Sequence, residues 1–561
     1  MMRSVLFSPG TILVSIILFA LGVRLLGITY GLPYVFYPDE AILVNHAMAF
    51  GTGDLNPHYF VYPSLYMYVL FIVYGLTYLG GRFLGVFGST DDFIHLFFTD
   101  ATVFYLPGRL IAVFSGVAAV WVVYRFGRRA YNTQVGLIAS AILAFSVLHV
   151  SYSHYVKTHV PAGLLVIATT WLAWRIYEGR NNWGHYLLAG ATAGLAASTV
   201  YHAGFAFISV VVAHWVYSKE KANVYLVDRK LVGAAVACFL AFALTTPFAI
   251  LDWRTFFSDL TSTGEVYYTG GIWEYGTFYP FTSLLSSFGQ PLGTVALLGL
   301  GYALLRRRPA DWILASQPIF LGLFLMLFRV KESTHMLVAF PAISILAASL
   351  VFDVIAWVCR QRAVSRGMVA TAFTGLLVAA PAVQSLKNSY RLSLPDTRIL
   401  AKHWVDENIP PGSKIAMDSG KYYLGQFGPP LPLSPLTLQQ LIDRGKASAT
   451  DNIARRDGTR RVAYLGEATY FQYQLKALGD LPGYDIVQLL HDTASPKRDW
   501  PSLDHYINQG VQYAIISSYA ENSDPKRKDY YNSIRQRGTL IQQFRPSEEV
   551  NGPLLLIYKL S

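Results

Sequence analysis

The chain has 561 residues, 53% of them hydrophobic and 14% charged, with a mean hydropathy of +0.36. A charge content so far below the roughly 25% of soluble domains excludes an ordinary soluble enzyme and leaves a polytopic membrane protein. The net charge of +11 and the pI near 9.3 do not call for a nucleic-acid partner, because Lys and Arg gather at the ends of apolar segments, where membrane topology accounts for them.

The first apolar segment, residues 11–29, has only Arg3 as a charge ahead of it and no small-residue cleavage site, so it is expected to stay as a membrane anchor. Tyr37-Pro38-Asp39-Glu40 follows and sets two adjacent carboxylates close to a bilayer surface. The next signal is Asn56-Pro57-His58-Tyr59-Phe60-Val61-Tyr62-Pro63-Ser64-Leu65. The apolar stretch 64–80 carries Tyr66, Tyr68, Phe71, Tyr74 and Tyr78 and is expected to lie at headgroup depth. Counting it as a crossing would place Arg125, Arg128 and Arg129 on the outer side. Residues 30–105 then form one long external loop.

Further apolar segments at 106–124, 135–152, 161–177, 186–200, 203–217, 231–248, 283–305, 311–328, 336–357 and 368–386 bring the expected total to about eleven membrane-spanning helices. Basic clusters at Arg175 and Arg180, Lys219 and Lys221, Arg229 and Lys230, Arg306–Arg308, and Arg360, Arg362 and Arg366 mark cytoplasmic ends. This alternation puts the N-terminus inside and the C-terminus outside. It also gathers Asp39, Glu40, His58, Arg109, His154, Lys157, His159, Tyr201, His202, Asp252, Glu265, Arg329, Lys331, Glu332 and His335 on the outer face. Cys238 and Cys359 lie within or beside apolar segments, so no disulfide framework is expected and the redox compartment is left open.

From Lys387 the composition turns polar, which divides the chain into a membrane domain, 1–386, and a C-terminal extracytoplasmic α/β domain, 387–561. A helix is expected from Asp396-Thr397-Arg398 through Glu407, stopped by Pro410-Pro411-Gly412. Strands are expected at Lys414–Met417, Arg461–Leu465, Tyr484–Leu490, Tyr513–Ser517 and Leu554–Tyr558. Asp418-Ser419-Gly420 and Gly425-Gln426-Phe427-Gly428 are loop signals and do not form a phosphate-binding fingerprint.

Adjacent carboxylates can take a proton from an acceptor hydroxyl, and clustered cations can receive a leaving phosphate. Asp39 and Glu40 suit the first task; as bland alternatives they cap an interfacial helix. Arg109, Lys157 and the run Arg329, Lys331, Glu332, His335 suit the second, against a purely interfacial or snorkelling role. The aromatic, glycine-containing stretch 252–279, with Glu265, Tyr267 and Tyr268, reads as an outer loop that closes over a sugar and excludes water, or else as part of an aromatic belt.

In order along the chain, several motifs resemble the GT-C superfamily, specifically glycosyltransferase family 39, which includes protein O-mannosyltransferases and lipid A aminoarabinose transferases. They are Tyr37-Pro38-Asp39-Glu40, Tyr62-Pro63-Ser64-Leu65, Leu106-Pro107-Gly108-Arg109, Ser151-Tyr152-Ser153-His154-Tyr155, Thr246–Asp252, and Arg329–Pro341. The resemblance implies a GT-C fold and an inverting transfer from a polyprenyl-phosphate-linked sugar to a protein, lipid or glycan acceptor. Asp39 would be the general base, Glu40 its orienting partner, and Arg109 the arginine near this acid. The implied location is a multi-pass protein of the inner or plasma membrane with an extracytoplasmic active site, in a bacterium or an archaeon.

Two departures stand out. His159 occupies a position where relatives carry Asp two residues before the proline, and Val61 and Tyr62 replace the acid and lysine of the aminoarabinose branch. The resemblance admits a divalent metal ion, but those ligands are missing, and no metal site is assigned. A transporter or flippase of a lipid-linked substrate is the alternative; it predicts repeated halves and polar groups near the midplane, whereas here they gather at one face.

Overall fold

The computed structural model describes residues 8–222, 227–268, 278–328, 332–361, 366–419, 425–455, 463–479, 481–489, 502–523 and 525–560. They form two compact units. Unit 1 comprises 1–28, 50–71 and 107–390, and unit 2 comprises 29–49, 72–106 and 391–561. The polar tail thus separates at residue 390 rather than 386, and it takes with it the acid-bearing segment 29–49 and the segment 72–106, both expected to stay with the membrane part.

Unit 1 is helical. Its elements include α1 (Pro9–Leu25), and, after α2 (Pro38–Ala49), α3 (Leu65–Phe83) and α4 (Thr90–Thr99), the long α5 (Thr102–Ala130), α6 (Thr133–Phe145), α7 (Val147–Tyr152), α8 (His159–Tyr177), α9 (Trp183–Thr199), α10 (Phe207–Tyr217), α11 (Arg229–Thr245) and α12 (Trp253–Tyr268). They are followed by α13 (Leu292–Arg306), α14 (Pro309–Leu325), α15 (Phe340–Gln361) and α16 (Arg366–Ser393). Among the described residues, four apolar helices are long enough to cross a membrane: Thr102–Ala130, His159–Tyr177, Ser333–Arg360 and Val369–Ser393. Pro9–Leu25, Thr133–Phe145, Leu292–Arg306 and Pro309–Leu325 are shorter apolar helices.

Two of the about eleven expected spans are not continuous helices. The segment 135–152 breaks at Ser146 into α6 and α7, because Ser146 leaves the helical conformation. The segment 203–217 opens with a 3₁₀ stretch, Tyr201–Ala206, before α10 begins. Non-helical backbone at such depth is tolerated where it is buried in protein.

Where α9 meets α11, a Cβ on Gly190 would stand 2.0 Å from the Ala234 carbonyl oxygen, and one on Gly194 would stand 2.2 Å from that of Cys238. This Gly-x-x-x-Gly spacing lets the two backbones touch, the usual solution where lipid supplies no hydrophobic drive between helices. Phe126, Ile142, Ile167, Phe288 and Phe340 belong to a large buried cluster in unit 1.

In unit 2, α17 (Thr397–Asn408), α18 (Pro435–Arg455), α19 (Ala463–Leu478), α20 (Leu503–Asn508), α21 (Ser518–Ser523) and α22 (Pro525–Arg537) accompany a five-stranded sheet. Its strands are β1 (Lys414–Met417), β2 (Asp485–Gln488), β3 (Tyr513–Ser517), β4 (Thr539–Phe544) and β5 (Leu555–Lys559), in the order β2-β1-β3-β5-β4. The first three are parallel and the last two antiparallel. Alternation sends Ile415, Ile515 and Ile557 to one buried face and Ala416, Ala514, Ile516 and Tyr558 to the other.

Four of the five expected strands form, with shifts of a residue or two. The fifth does not: Ala463–Leu478 is helical, with Ala468 and Phe471 buried at helical spacing. Residues 461 and 462 lie outside the described ones. β4 was not expected, because its exposed Thr539, Leu540 and Ile541 give no apolar alternation to read.

The acid-bearing segment is tied into unit 2 by Arg398. This buried guanidinium reaches Asp396 Oδ2 at 2.7 Å, the Gly425 and Gln426 carbonyls at 3.1 Å and the Tyr30 hydroxyl at 2.6 Å. It also lies over the Phe36 ring at 3.7 Å. Arg398→Met is expected to cost about 3–5 kcal/mol, because it strands buried Asp396. A thermal melt of the purified protein checks this; an unchanged midpoint would contradict it.

Candidate active site

The expected site residues fall in both units. In unit 2, Pro38 opens α2, so Asp39 and Glu40 occupy its first turn, where the positive end of the helix dipole favours carboxylates. Glu40 is fully buried and Asp39 half-buried.

In unit 1, three chain segments meet at the end of α1. Arg24 on α1 is fully buried and donates to Ser153 Oγ at 3.2 Å and to the carbonyls of Ala20 and Ala144 at 3.0 and 3.4 Å, and its Nη2 lies 3.0 Å from His149 Nδ1. No acidic side chain pairs with it among the described residues. His154 places its two ring nitrogens 3.0 Å from the Val150 carbonyl and 2.9 Å from the Leu26 carbonyl, which pins the α7–α8 connection to the same helix end. Arg109 on α5 is also fully buried, and its Nη1 donates to the Ile28 carbonyl at 2.8 Å.

Gly108 makes this approach sterically feasible. A Cβ there would meet both Val156 methyls at 2.9 Å, so the residue before Arg109 packs directly on the residue before Lys157. Lys157 is itself buried, with 5% of its surface exposed. It stands within electrostatic reach of His159 and His335.

Those two histidines form a cluster with His202. Ring centroids lie 5.8 Å apart for His159 and His202, 5.5 Å for His202 and His335, and 6.3 Å for His159 and His335. His159 Nδ1, His202 Nε2 and the Thr158 hydroxyl are buried without a hydrogen-bond partner among the described residues. Buried polar groups left this way ask for a polar ligand. Among the described residues no group of three or more His, Cys, Asp or Glu is placed to hold a metal ion.

The segment 54–60 of unit 1 is held by hydrogen bonds. Asn56 Nδ2 donates to Asp252 Oδ2 at 2.9 Å, the Phe60 N–H to Asp259 at 2.9 Å, and the Tyr201 hydroxyl to the Phe60 carbonyl at 2.8 Å. His58, in left-handed backbone at φ 46°, reaches Asp54 at 2.8 Å. Burial alone would raise the Asp54 carboxyl, but its hydrogen bonds from His58 and the Asn56 N–H outweigh this and hold it below the usual carboxylate range.

The stretch expected as a closing loop is partly a helix: α12 covers Trp253–Tyr268, so Glu265, Tyr267 and Tyr268 are helical positions. Residues 269–277 lie outside the described ones, as do Arg329 and Lys331. Glu332 is exposed and accepts from Thr334 at 3.2 Å, whereas His335 is half-buried in the cluster. Sequence reasoning missed Arg24; the one signal was an arginine inside an otherwise apolar segment.

A model of the family described as dolichyl-phosphate-mannose-protein mannosyltransferase matches residues 93–250. The crystal structure of ArnT from Cupriavidus metallidurans in the apo state superposes with a TM-score of 0.51 at 13% identity, covering 97% of each chain. The same protein bound to undecaprenyl phosphate gives 0.52 at 13% identity, again over 97% of each chain. This chain shares the fold of ArnT, and the family match covers residues 93–250. The oligosaccharyltransferase of Archaeoglobus fulgidus in its apo form aligns at 14% identity and a TM-score of 0.47, over 73% of this chain and 62% of that one. No curated protein matches the chain in sequence.

Within this fold the packing at Gly108 gives a direct test. Gly108→Ala is expected to destabilise by about 1–2 kcal/mol through overpacking against Val156. Gly22→Ala on α1, whose Cβ would meet nothing within 4 Å, is expected to be neutral or stabilising. Melting both variants in detergent checks the pair; equal midpoints would refute the packing argument.

Proposed function

We propose that the enzyme transfers a sugar from a polyprenyl-phosphate carrier to an acceptor hydroxyl, with inversion at the anomeric carbon. The acceptor oxygen attacks the anomeric carbon as its proton passes to the Asp39 carboxylate. The bond from that carbon to the phosphate oxygen breaks, and polyprenyl phosphate leaves with the electron pair. Glu40 orients Asp39 or the acceptor. Arg109, Lys157 and His335, with Arg329 and Lys331, bind the donor phosphate, and Glu265, Tyr267 and Tyr268 flank the substrate.

The observation that carries this reading is the buried basic set of unit 1. Arg109 and Lys157 are held on packed segments near His159 and His202, each of which has one ring nitrogen without a hydrogen-bond partner among the described residues. Cations and neutral donors fixed in a site of low dielectric are what a leaving phosphate needs, because they stabilise its charge without reorganising. The undecaprenyl phosphate bound by ArnT, a protein of the same fold, supports a polyprenyl carrier here. The acceptor is a protein, lipid or glycan, and the positive ends of the helices favour an extracytoplasmic active site and C-terminal domain in an inner or plasma membrane. No observation favours the transporter reading.

Asp39→Asn is expected to lower the transfer rate at least about 10²-fold, the scale of general-base loss. Binding of a polyprenyl-phosphate sugar should stay within about twofold, since the cations are untouched. Single-turnover transfer and equilibrium binding measured on the same preparation separate the two; a wild-type transfer rate would overturn the role of Asp39.

A further inference from the structure

No charged residue occurs in α3 before Arg82, yet only one side of this helix is covered by protein. Tyr74 is buried and its hydroxyl donates to the Phe104 carbonyl at 2.9 Å, and the Tyr78 hydroxyl lies 3.1 Å from that of Thr90. A Cβ on Gly81 would stand 2.3 Å from the Phe87 ring, so the chain after α3 folds back directly over this glycine. Tyr78, Phe87, Phe93 and Phe104 close an aromatic core, with successive ring centroids 4.8–6.3 Å apart. Tyr74 and Tyr78, which in sequence read as headgroup-level aromatics, are therefore spent inside the α3–α4 hairpin.

The opposite face is bare. Ile72, Leu76, Leu79 and Phe83 follow one another at steps of four, three and four residues, which puts them on a single stripe, and all four are exposed, Phe83 by 91%. The stripe continues into the turn, where Leu84 is 75% and Val86 67% exposed. Arg82 is drawn away from it, donating to the Phe87 carbonyl at 3.1 Å and to that of Gly88. The acids of the hairpin lie on its other arm, with Asp91 paired to Lys476 of α19 and Asp92 in the capping box of α4. A continuous apolar surface of this kind marks a contact site, and this one holds nothing for a polar partner.

The register of α5 decides what reaches that face. The hairpin packs on the first turn of α5 through Phe104, and only Asp100 and Ala101 separate α4 from α5. α5 is long and apolar enough to cross a membrane, and Arg125, Arg128 and Arg129 mark one boundary of its crossing. A hydrocarbon core of about 30 Å takes about 20 residues of helix, so the other boundary falls near Tyr105. Phe104 and the hairpin packed on it therefore lie at a bilayer surface, where acyl chains are the apolar phase within reach.

We infer that the α3–α4 hairpin is a bilayer anchor that dips into the membrane without crossing it. The stripe of Ile72, Leu76, Leu79 and Phe83, with Leu84 and Val86 at the tip, lies among acyl chains below the headgroups. Interfacial helices sink their apolar face about 5–10 Å past that boundary. The polar arm α4 stays on the water side, tied to α19 through Lys476. The anchor belongs to unit 2, so it fastens to the membrane the same body that carries Asp39. It rests on burial and helix register alone, independently of the proposed transfer reaction.

The test is spin-label accessibility in the full-length protein, reconstituted in vesicles of dioleoyl-phosphatidylcholine and dioleoyl-phosphatidylglycerol, with Cys238→Ala and Cys359→Ala removing the native thiols. Labels are carried by Leu79→Cys, by Leu84→Cys and, as a water reference on α17, by Glu407→Cys. All three side chains are exposed, so a label displaces no packed neighbour. Oxygen concentrates in the bilayer and a neutral nickel chelate stays in water. The ratio of oxygen to nickel relaxation is therefore expected to be at least about fivefold higher for Leu79→Cys and Leu84→Cys than for Glu407→Cys. A ratio at either hairpin position equal to that of the reference would overturn the anchor. Strong dipolar coupling between the Leu84→Cys labels of two molecules would overturn the lipid assignment in favour of a second copy of the chain.

Discussion

A basic group cannot be buried among membrane helices without being held, and that constraint shapes unit 1. Stripping water from a charge costs several kcal/mol even after relaxation, and an unmade hydrogen bond adds its own penalty. Arg24 meets the constraint with neutral acceptors alone: a serine, two backbone carbonyls and an imidazole nitrogen. In doing so it clamps α1 to the segment 144–153, and His154 repeats the clamp from the other side. His159 Nδ1 and His202 Nε2, which have no hydrogen-bond partner among the described residues, are thereby displayed from a rigid frame.

The acid arrives by a different structural route. The segment 29–49, which carries Asp39 and Glu40, is packed within the unit built around the C-terminal sheet, with Arg398 as the joint. The same unit takes up 72–106, where Phe97 and Phe98 pack on Tyr470 and Asp91 pairs with Lys476 at 2.9 Å. The sheet domain is therefore more than an appendage to the membrane helices. It is the body to which the proposed catalytic carboxylates are attached.

Much of this was legible in the residues. Apolar length and low charge gave a helical membrane protein, and three of the parallel or antiparallel strands were readable within a residue from their β-branched runs. Pro38 before Asp39-Glu40 marked a helix start, and α2 begins there. What escaped was non-local. His159, His202 and His335 come from three segments, and only the fold brings their rings within 6.3 Å of one another. Arg24 was hidden because an arginine near the end of an apolar segment ordinarily reads as an interfacial anchor. α12 was mistaken for a loop because its aromatic residues resemble a belt, and α19 for a strand because Val462, Ala463, Tyr464 and Leu465 have no helical period of their own over so short a run.

The central claim is that the donor's phosphate rests on the buried bases of unit 1. An experimental structure of the protein with undecaprenyl phosphate tests it most directly. The account predicts phosphate density within about 4 Å of Lys157 Nζ and at least one imidazole of His159, His202 or His335, with Arg109 on the same side. Phosphate density elsewhere, with those imidazoles left unliganded, would contradict it.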